Sequence, residues 1–431
     1  MHFWQCLFLV SSFLVFYNYA GYVIPVWIIN KLFPTPPGRF SSESASPEDT
    51  WPTISFIVAA YNEEACIVEK ITNSLEQDYP AARIEFLFIT DGSTDHTTEL
   101  LGQYPLIRTL HQPERKGKSA AINRAVKEAR HEILIFSDAN ALLNRTATRN
   151  IARHYRDSRV GGVAGEKKVL PVPQTGIPVS QPVPQADQPV QAAGPAITAP
   201  ASSPVPPDQV GAGEGLYWKY ESFLKRCDSA FYSVVGAAGE LFSLRRSLYE
   251  ELPDNIILDD FVLSLKVTQK GYRVRYEPEA FAMELPSFSL KDEQKRKIRI
   301  AAGGFQSIAI LTPLLACWRH PRLSYLYISH RVMRWAVSPL CLILAFISNG
   351  ALLLYPANPL WTLLFIIQSA FYGSALLGRL SPPLLERFKL LKLCHYFVFM
   401  NTAVILGFFR FLRGRQSATW EKARRANAGL T

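Results

Sequence analysis

Residues 3–33 carry no charged side chain until Lys31, and a second apolar territory runs from about 303 to 412. About twenty apolar residues suffice to cross a bilayer, so these stretches constrain the chain more than any other feature. The first is too long for the core of a signal peptide and has no clear small-residue cleavage site. We read 1–33 as an N-terminal transmembrane helix. Lys31 and Arg39 follow it and only His2 precedes it, so the positive-inside rule puts residue 34 onward on the cytoplasmic side. Trp335–Tyr355 and Leu360–Leu377 read as two more spans, joined by the uncharged turn Pro356–Pro359, and Leu393–Phe409 as a shorter third. Counting all three puts the tail outside, whereas the basic run Arg410–Arg425 in that tail argues for inside. Three answers stay open: Leu393–Phe409 lies in the interface, it re-enters, or the tail breaks the rule. Gly303–Trp318, apolar but short and broken by Pro313, reads as interfacial.

The expected domains are then 1–33, a soluble unit 34–300, interfacial amphipathic helices 301–334, transmembrane helices 335–412 and a basic tail 413–431. The formal charge of +10 invites a nucleic-acid reading. The basic residues, however, cluster beside the apolar stretches, as at Lys295–Arg299, Arg331–Arg334 and Arg410–Arg425, where membrane surfaces attract them. No zinc spacing or RNA-binding signature accompanies them, so membrane lipids and not nucleic acid are the expected partners. The six cysteines are scattered and read as small buried hydrophobes in a reduced compartment.

The middle of the chain alternates strand and helix. Trp51–Tyr61, Ile84–Thr90, Ile107–His111 and Glu132–Phe136 read as strands of a parallel sheet. Asn62–Leu75, Thr94–Leu101, with Ser93 or Thr94 as its cap, and Gly117–Arg130 read as helices, which makes a doubly wound α/β sheet. No Gly-x-Gly-x-x-Gly follows the first strand and no Walker loop is present, so phosphates must be met by a metal and basic groups. Residues 171–212 hold eleven prolines and no aromatic residue, lysine or arginine. Such a segment cannot bury a core, and we read it as a surface insertion, neutral rather than a lid.

Three acidic motifs carry the chemistry. Asp91-Gly92-Ser93-Thr94-Asp95 and Asp138-Ala139-Asn140 each end a strand, and Asp259-Asp260 follows Asn255–Leu258. Ligands of open α/β sheets bind at strand ends, and carboxylates there can hold a sugar, a base edge or a hard cation. The plainer reading makes Asp91 and Asp138 helix caps.

Joined by Ile57–Glu64, Gly117-Lys118-Ser119-Ala120-Ala121-Ile122-Asn123 and Gly236-Ala237-Ala238-Gly239, these motifs make the chain resemble the membrane-bound family 2 glycosyltransferases. Those are inverting GT-A enzymes, among them cellulose, chitin, hyaluronan and poly-N-acetylglucosamine synthases. The resemblance covers about residues 52–310 and extends to the flanking spans. It implies a GT-A nucleotide-sugar domain flanked by transmembrane helices, a UDP-sugar donor, Mg²⁺ or Mn²⁺, a glycan or lipid-linked acceptor, and export or synthase partner proteins. It also implies a bacterial inner membrane with the catalytic domain in the cytoplasm.

Carried over by position, Ala60, Asn62, Glu63 and Asp91 face the uridine, and Lys118 lies near the nucleotide. Asp138 and Asn140 hold the metal, Asn140 being an amide where the family has a second carboxylate. Gly236 and Gly239 line the acceptor side, Asp260 is the general base, and Asp259 takes the place of the family's glutamate. In Arg296-Lys297-Ile298-Arg299-Ile300 only Arg299 matches the family's Gln-x-x-Arg-Trp motif. Arg299 is therefore assigned to the diphosphate, while Arg296 and Lys297 read as surface charge. The missing tryptophan removes a platform for the acceptor sugar. Two other functions fit the same residues: single-sugar transfer to a lipid carrier, and a non-catalytic partner subunit.

Overall fold

The computed structural model describes residues 1–33, 51–169, 208–284, 290–356 and 358–414. The proline-rich segment lies outside the described residues except for 208–212, which are helical. The first strand, β1 (Ile54–Ala60), is buried at all seven positions. Its alternate side chains enter two cores: Ile57 and Ala59 pack on one face, and Ile54, Phe56, Val58 and Ala60 on the other. A strand covered on both faces belongs in the middle of a sheet. Accordingly, Ile54 pairs in parallel with Ile84 of β2 (Ile84–Asp91) and with Ile133 of β4 (Ile133–Asp138), and β2 pairs with β3 (Ile107–Gln112). Truncating Phe56, fully buried here, would cost about 3–5 kcal/mol.

The second half of the sheet departs from the expected parallel pattern. Its order is β3-β2-β1-β4-β7-β6-β8-β5, formed with β5 (Leu142–Leu143), β6 (Val160–Val169), β7 (Leu241–Arg245) and β8 (Arg273–Glu284). β7 runs antiparallel to both β4 and β6, so the sheet is mixed. Strands contributed after the insertion complete a sheet begun before it.

Both chain ends build helices around this domain. α1 (His2–Phe16) continues through a π-helical turn, Tyr17–Gly21, into α2 (Val23–Leu32). The helices α3 (Ile67–Leu75), α4 (Thr97–Gly102), α5 (Lys118–Glu128) and α6 (Ala147–Ala152) pack on the sheet, α4 and α5 against its first strands and α6 against β8. α7 (Asp208–Phe231), α8 (Asp259–Gln269) and α9 (Leu290–Ile310) follow. α10 (Pro321–Tyr327) then runs through a second π-helical stretch, Ile328–Val337, into α11 (Ser338–Leu352). The boundary expected at Trp335 thus falls inside a helix that is continuous from Pro321. α12 (Pro359–Leu380), the short α13 (Pro382–Arg387) and α14 (Lys389–Leu412) end the described chain. The apolar stretch expected to be short at Leu393–Phe409 is therefore a helix of 24 residues. The helix expected at Thr94 starts at Thr97 instead, because Ser93 and Thr94 are drawn to Asn62 and it is Asp95 Oδ1 that accepts from Thr97 N at 3.1 Å.

Charge and packing weld the apolar helices to the sheet domain. Glu221 of α7 meets Arg331 at 3.1 Å and also pairs with Arg334, while Asp228 accepts from His330 Nδ1 at 2.6 Å. Burial alone would raise the Glu221 carboxyl, but Arg331 and Arg334 hold it well below the usual range. Such a buried cluster fixes an arrangement more than it adds stability. Tyr22, Val26 and Trp335 belong to the same apolar core as Leu87 and Phe242 of the sheet.

Candidate active site

Strand β2 delivers Asp91 to the sheet's upper edge, where its carboxylate accepts from Lys116 N at 3.0 Å and from Gly117 N at 2.6 Å. Those N–H groups lie just before α5, so Asp91 braces the loop that enters that helix and does not cap it, the N-cap being Gly117. Asn62, with φ of 53°, is the one described non-glycine residue at positive φ. Its side chain exchanges hydrogen bonds with Thr94, N–H to Oδ1 at 2.8 Å and Nδ2 to Oγ1 at 3.3 Å. This ties the end of β1 to the Asp91–Asp95 loop. The backbone N–H of Glu63 donates to Thr97 Oγ1 at 2.8 Å. Beside them the Arg115 guanidinium stacks 3.7 Å above the Tyr61 ring, a flat cationic surface that neither residue announces in sequence.

A cavity of about 1310 Å³ opens below this edge, between the catalytic domain and the membrane helices. Glu63, Lys118, Asp138, Asn140, Gly236, Gly239, Asp259, Asp260 and Arg299 all line it, whereas Ala60, Asn62 and Asp91 do not. The structure thus gathers nine of the expected positions around one space, while these three stand beside it at the strand ends.

At the centre, Lys118 Nζ lies 2.5 Å from Asp138 Oδ1. A Cβ built on Gly239 would stand 3.2 Å from Lys118 Nζ and 3.4 Å from Asp260 Oδ2, so glycine lets the ammonium and that carboxylate approach the backbone. Burial would lower the Lys118 pKa, but Asp138, Asp259 and Asp260 outweigh it and raise it above the ordinary lysine value. Burial raises the Asp138 carboxyl against the pull of Lys118. Asp260 is pushed up to about 8, first by burial and then by the neighbouring Asp259 charge. Both aspartates sit in the first turn of α8, where the helix dipole favours their anionic forms. Gly236 has φ of 87°, and a Cβ there would run into the Phe261 ring, so this turn requires glycine.

Sequence reasoning missed the supports of this site. Lys70 is fully buried and donates to Ser137 Oγ at 2.7 Å and to Ala141 O at 2.6 Å, clamping the Asp138–Asn140 loop from both sides. Burial brings its pKa down to about 7. Its signal was a lysine on the apolar stripe Ile67-Ile71-Ser74 of α3. Glu240, next to Gly239, meets Lys167 at 2.5 Å and Arg296 at 3.7 Å. Arg296 and Lys297 are not the surface charges they resembled. Both line the cavity, and Lys297 is buried with its Nζ 3.2 Å from Glu293. α9 packs between the catalytic domain and α14, so its basic run has little solvent to face.

A parallel sheet edge bearing acidic loops, extended by antiparallel strands and roofed by apolar helices, defines the class: a GT-A-type glycosyltransferase fold on a membrane base. Comparison with known proteins agrees. The description "Glycosyl transferase family 2" matches residues 55–181, and "Glycosyl transferase family group 2" matches 220–375. The chain carries glycosyl transferase family 2 domains. It is similar to the poly-beta-1,6-N-acetyl-D-glucosamine synthase of Staphylococcus aureus (strain COL), with 23% identity over 265 residues, 59% of this chain and 55% of that protein. It is also similar to the probable glycosyltransferase YdaM of Bacillus subtilis (strain 168), with 23% identity over 263 residues, 58% of this chain and 55% of that protein. The chain thus spans about half the length of these curated relatives. Among solved structures, the mannosyltransferase PcManGT from Pyrobaculum calidifontis, in complex with GDP-Man and Mn²⁺, shares the fold. Its TM-score is 0.64 at 19% identity, covering 95% of this chain and 99% of that one.

Proposed function

We propose that this protein transfers a sugar, with inversion, from a UDP-sugar to a glycan acceptor at the membrane surface, in the synthesis of an extracellular or cell-surface polysaccharide. The observation that carries the proposal is the convergence of Asp138, Lys118 and Asp260 in one cavity walled on its other side by membrane helices. In this reading Asp260 takes the acceptor's hydroxyl proton as that oxygen bonds to the anomeric carbon. The bond from that carbon to the diphosphate breaks, and UDP leaves with the electron pair. Asp259 keeps the Asp260 carboxyl basic enough to accept a proton. Lys118 and Arg299 offset the charge that grows on the diphosphate.

A divalent cation fits this site as a shared ligand. Asp138 and Asn140 offer oxygen donors, the set suited to Mg²⁺ or Mn²⁺. Among the described residues no group of three His, Cys, Asp or Glu side chains could hold a metal ion by itself, so the diphosphate would complete the shell. When bound, the ion would add Lewis-acid stabilisation of the leaving group.

A second reading, transfer of one sugar to a lipid carrier, is favoured by the lining that α14 contributes. Phe397, Met400 and Val404 are apolar, and Lys389, Lys392 and Arg410 are cationic, which suits an acyl or prenyl chain with a phosphate. Membrane vesicles supplied with labelled UDP-sugars, and with GDP-mannose as the contrasting donor, test both readings. A sized polymer supports the first, a single-sugar lipid the second. Transfer from GDP-mannose alone overturns the donor assignment, and no product from any donor favours a non-catalytic subunit.

A further inference from the structure

Among the described residues, four helical stretches are long and apolar enough to cross a membrane: His2–Leu32, Pro321–Leu352, Pro359–Leu380 and Lys389–Leu412. The last packs on α12, with the Phe371 and Phe397 rings 5.6 Å apart, but it stands outside the cluster that joins the other three. Away from the catalytic domain the first three meet in a cluster of Phe8, Ala345 and Leu352, with Trp4, Trp361 and Leu364 packed around it. The Phe8 and Trp361 rings lie 5.6 Å apart there. No described residue of α14 belongs to that cluster.

α14 begins instead at the domain end of α12, where His395 Nδ1 lies 3.1 Å from Ala375 O. Midway, Phe397 packs 5.0 Å from the Tyr19 ring, and Asn401 Oδ1 accepts from Tyr19 Oη at 3.1 Å. It then runs beside α9. The rings of Phe408 and Phe305 are 5.0 Å apart, and a Cβ on Gly407 would stand 2.5 Å from Ala301 Cβ and 3.0 Å from Ile298 O. α9 in turn is docked on the catalytic domain, since Gln306 donates to Asn255 O at 2.9 Å and accepts from Ile257 N at 3.1 Å. A spanning helix must leave that surface, yet α14 reaches it along its second half.

The cavity makes the same point independently. Lys389 and Lys392 at the start of α14 and Arg410 at its end line the space that holds Asp138, Asp260 and Trp218. At the usual helical rise these ends are about 30 Å apart, a full hydrocarbon thickness. Were α14 to cross, one cationic end would stand on the far side of the bilayer. Its two faces also differ: Tyr396, Met400 and Ala403 face the cavity, while Leu390, Leu406, Phe409 and Leu412 are exposed.

We propose that α14 lies in the membrane interface on the catalytic-domain side, with its exposed apolar face set into the headgroup–acyl boundary, so that the described chain crosses three times, by α1, α11 and α12. An amphipathic helix with cations at both ends suits that layer, where anionic headgroups hold the lysines and arginines. The inference rests on the membrane reading and is independent of donor and acceptor. It also relieves the charge conflict in the sequence, because Arg410 and Arg413 then stay beside the catalytic domain.

Single cysteines in a full-length variant lacking the six native ones test the proposal. In sealed vesicles, an impermeant maleimide should reach Arg413→Cys from the same side as Arg319→Cys, and from the side opposite Asn358→Cys. Labelling of Arg413→Cys together with Asn358→Cys would overturn it. A nitroxide at Thr402→Cys, exposed near mid-helix, gives a second readout. A depth as shallow as that of nitroxides at Leu390→Cys and Leu412→Cys is expected, and a maximum at the bilayer centre would refute the arrangement.

Discussion

The two halves of the site are built in opposite ways. In the half proposed to meet the nucleotide, β1 to β4 and α3 to α5 follow one another along the chain, and each acidic motif ends the strand that presents it. In the half proposed to meet the acceptor, β7, α8, α9 and α14 come from residues 241 to 412 and are brought against one another by long-range packing. Asp138 belongs to the first half and Asp260 to the second, yet Lys118 is held between them. On the proposed roles, the donor would meet locally encoded loops, while the group proposed to take the proton depends on tertiary assembly.

The sharpest way to break that division is Asp260→Asn. Transfer should fall by about 10²–10⁴-fold, the range for losing a positioned base, while UDP binding, measured by calorimetry on detergent-solubilised protein, stays near normal. Loss of UDP binding instead would put Asp260 in the donor half. Next in size is Arg299→Lys, because an ammonium cannot bridge two diphosphate oxygens as a guanidinium fork does. Turnover should drop by about 10²-fold, the scale of one preorganised donor. Arg296→Lys keeps its charge beside Glu240 and should lose less. Lys297→Arg, which enlarges a buried group, should lower thermal stability by about 1–3 kcal/mol. Equal small losses of turnover at Arg296 and Arg299 would remove the special role of Arg299.

A smaller effect concerns pH. The proposed base would work deprotonated, so kcat/KM should fall as pH drops below the Asp260 value of about 8. Asp259→Asn removes a like charge that disfavours the carboxylate, and should move this limb to lower pH. An unmoved limb would mean that another group sets it. The smallest effect expected is from replacing residues 171–207 with a short Gly/Ser linker. Loop-closure cost changes by only about 0.6 kcal/mol per halving of length, so the variant should insert into membranes and bind UDP as before. Aggregation of that variant would give the segment a structural role.

Much of the first half was legible because its determinants are local. Ile54–Ala60 reads as a covered strand, the motif at Gly117 begins a helix, and Asp138 ends β4 as its position suggests. The uncharged stretch before Lys31 likewise announces a helix long enough to cross a membrane. The sequence could not show that β7 enters antiparallel beside β4, since strand direction is decided by where residues after the insertion return. Nor could it show that Lys70 clamps the Asp138 loop or that Lys297 is buried, because a lysine's composition does not say which surface covers it.

By itself, then, the sequence determined the alternating α/β elements, the apolar helices and the identity of the acidic loops, all of which follow from patterns within a few turns or strands. Only the tertiary structure decided the mixed sheet, the meeting of Asp138, Lys118 and Asp260, and the company α14 keeps. Hydropathy measures how apolar a helix is and not what lies beside it. The contacts of Gly407 with Ala301 and Ile298 are set by complementary shape across a hundred residues of chain.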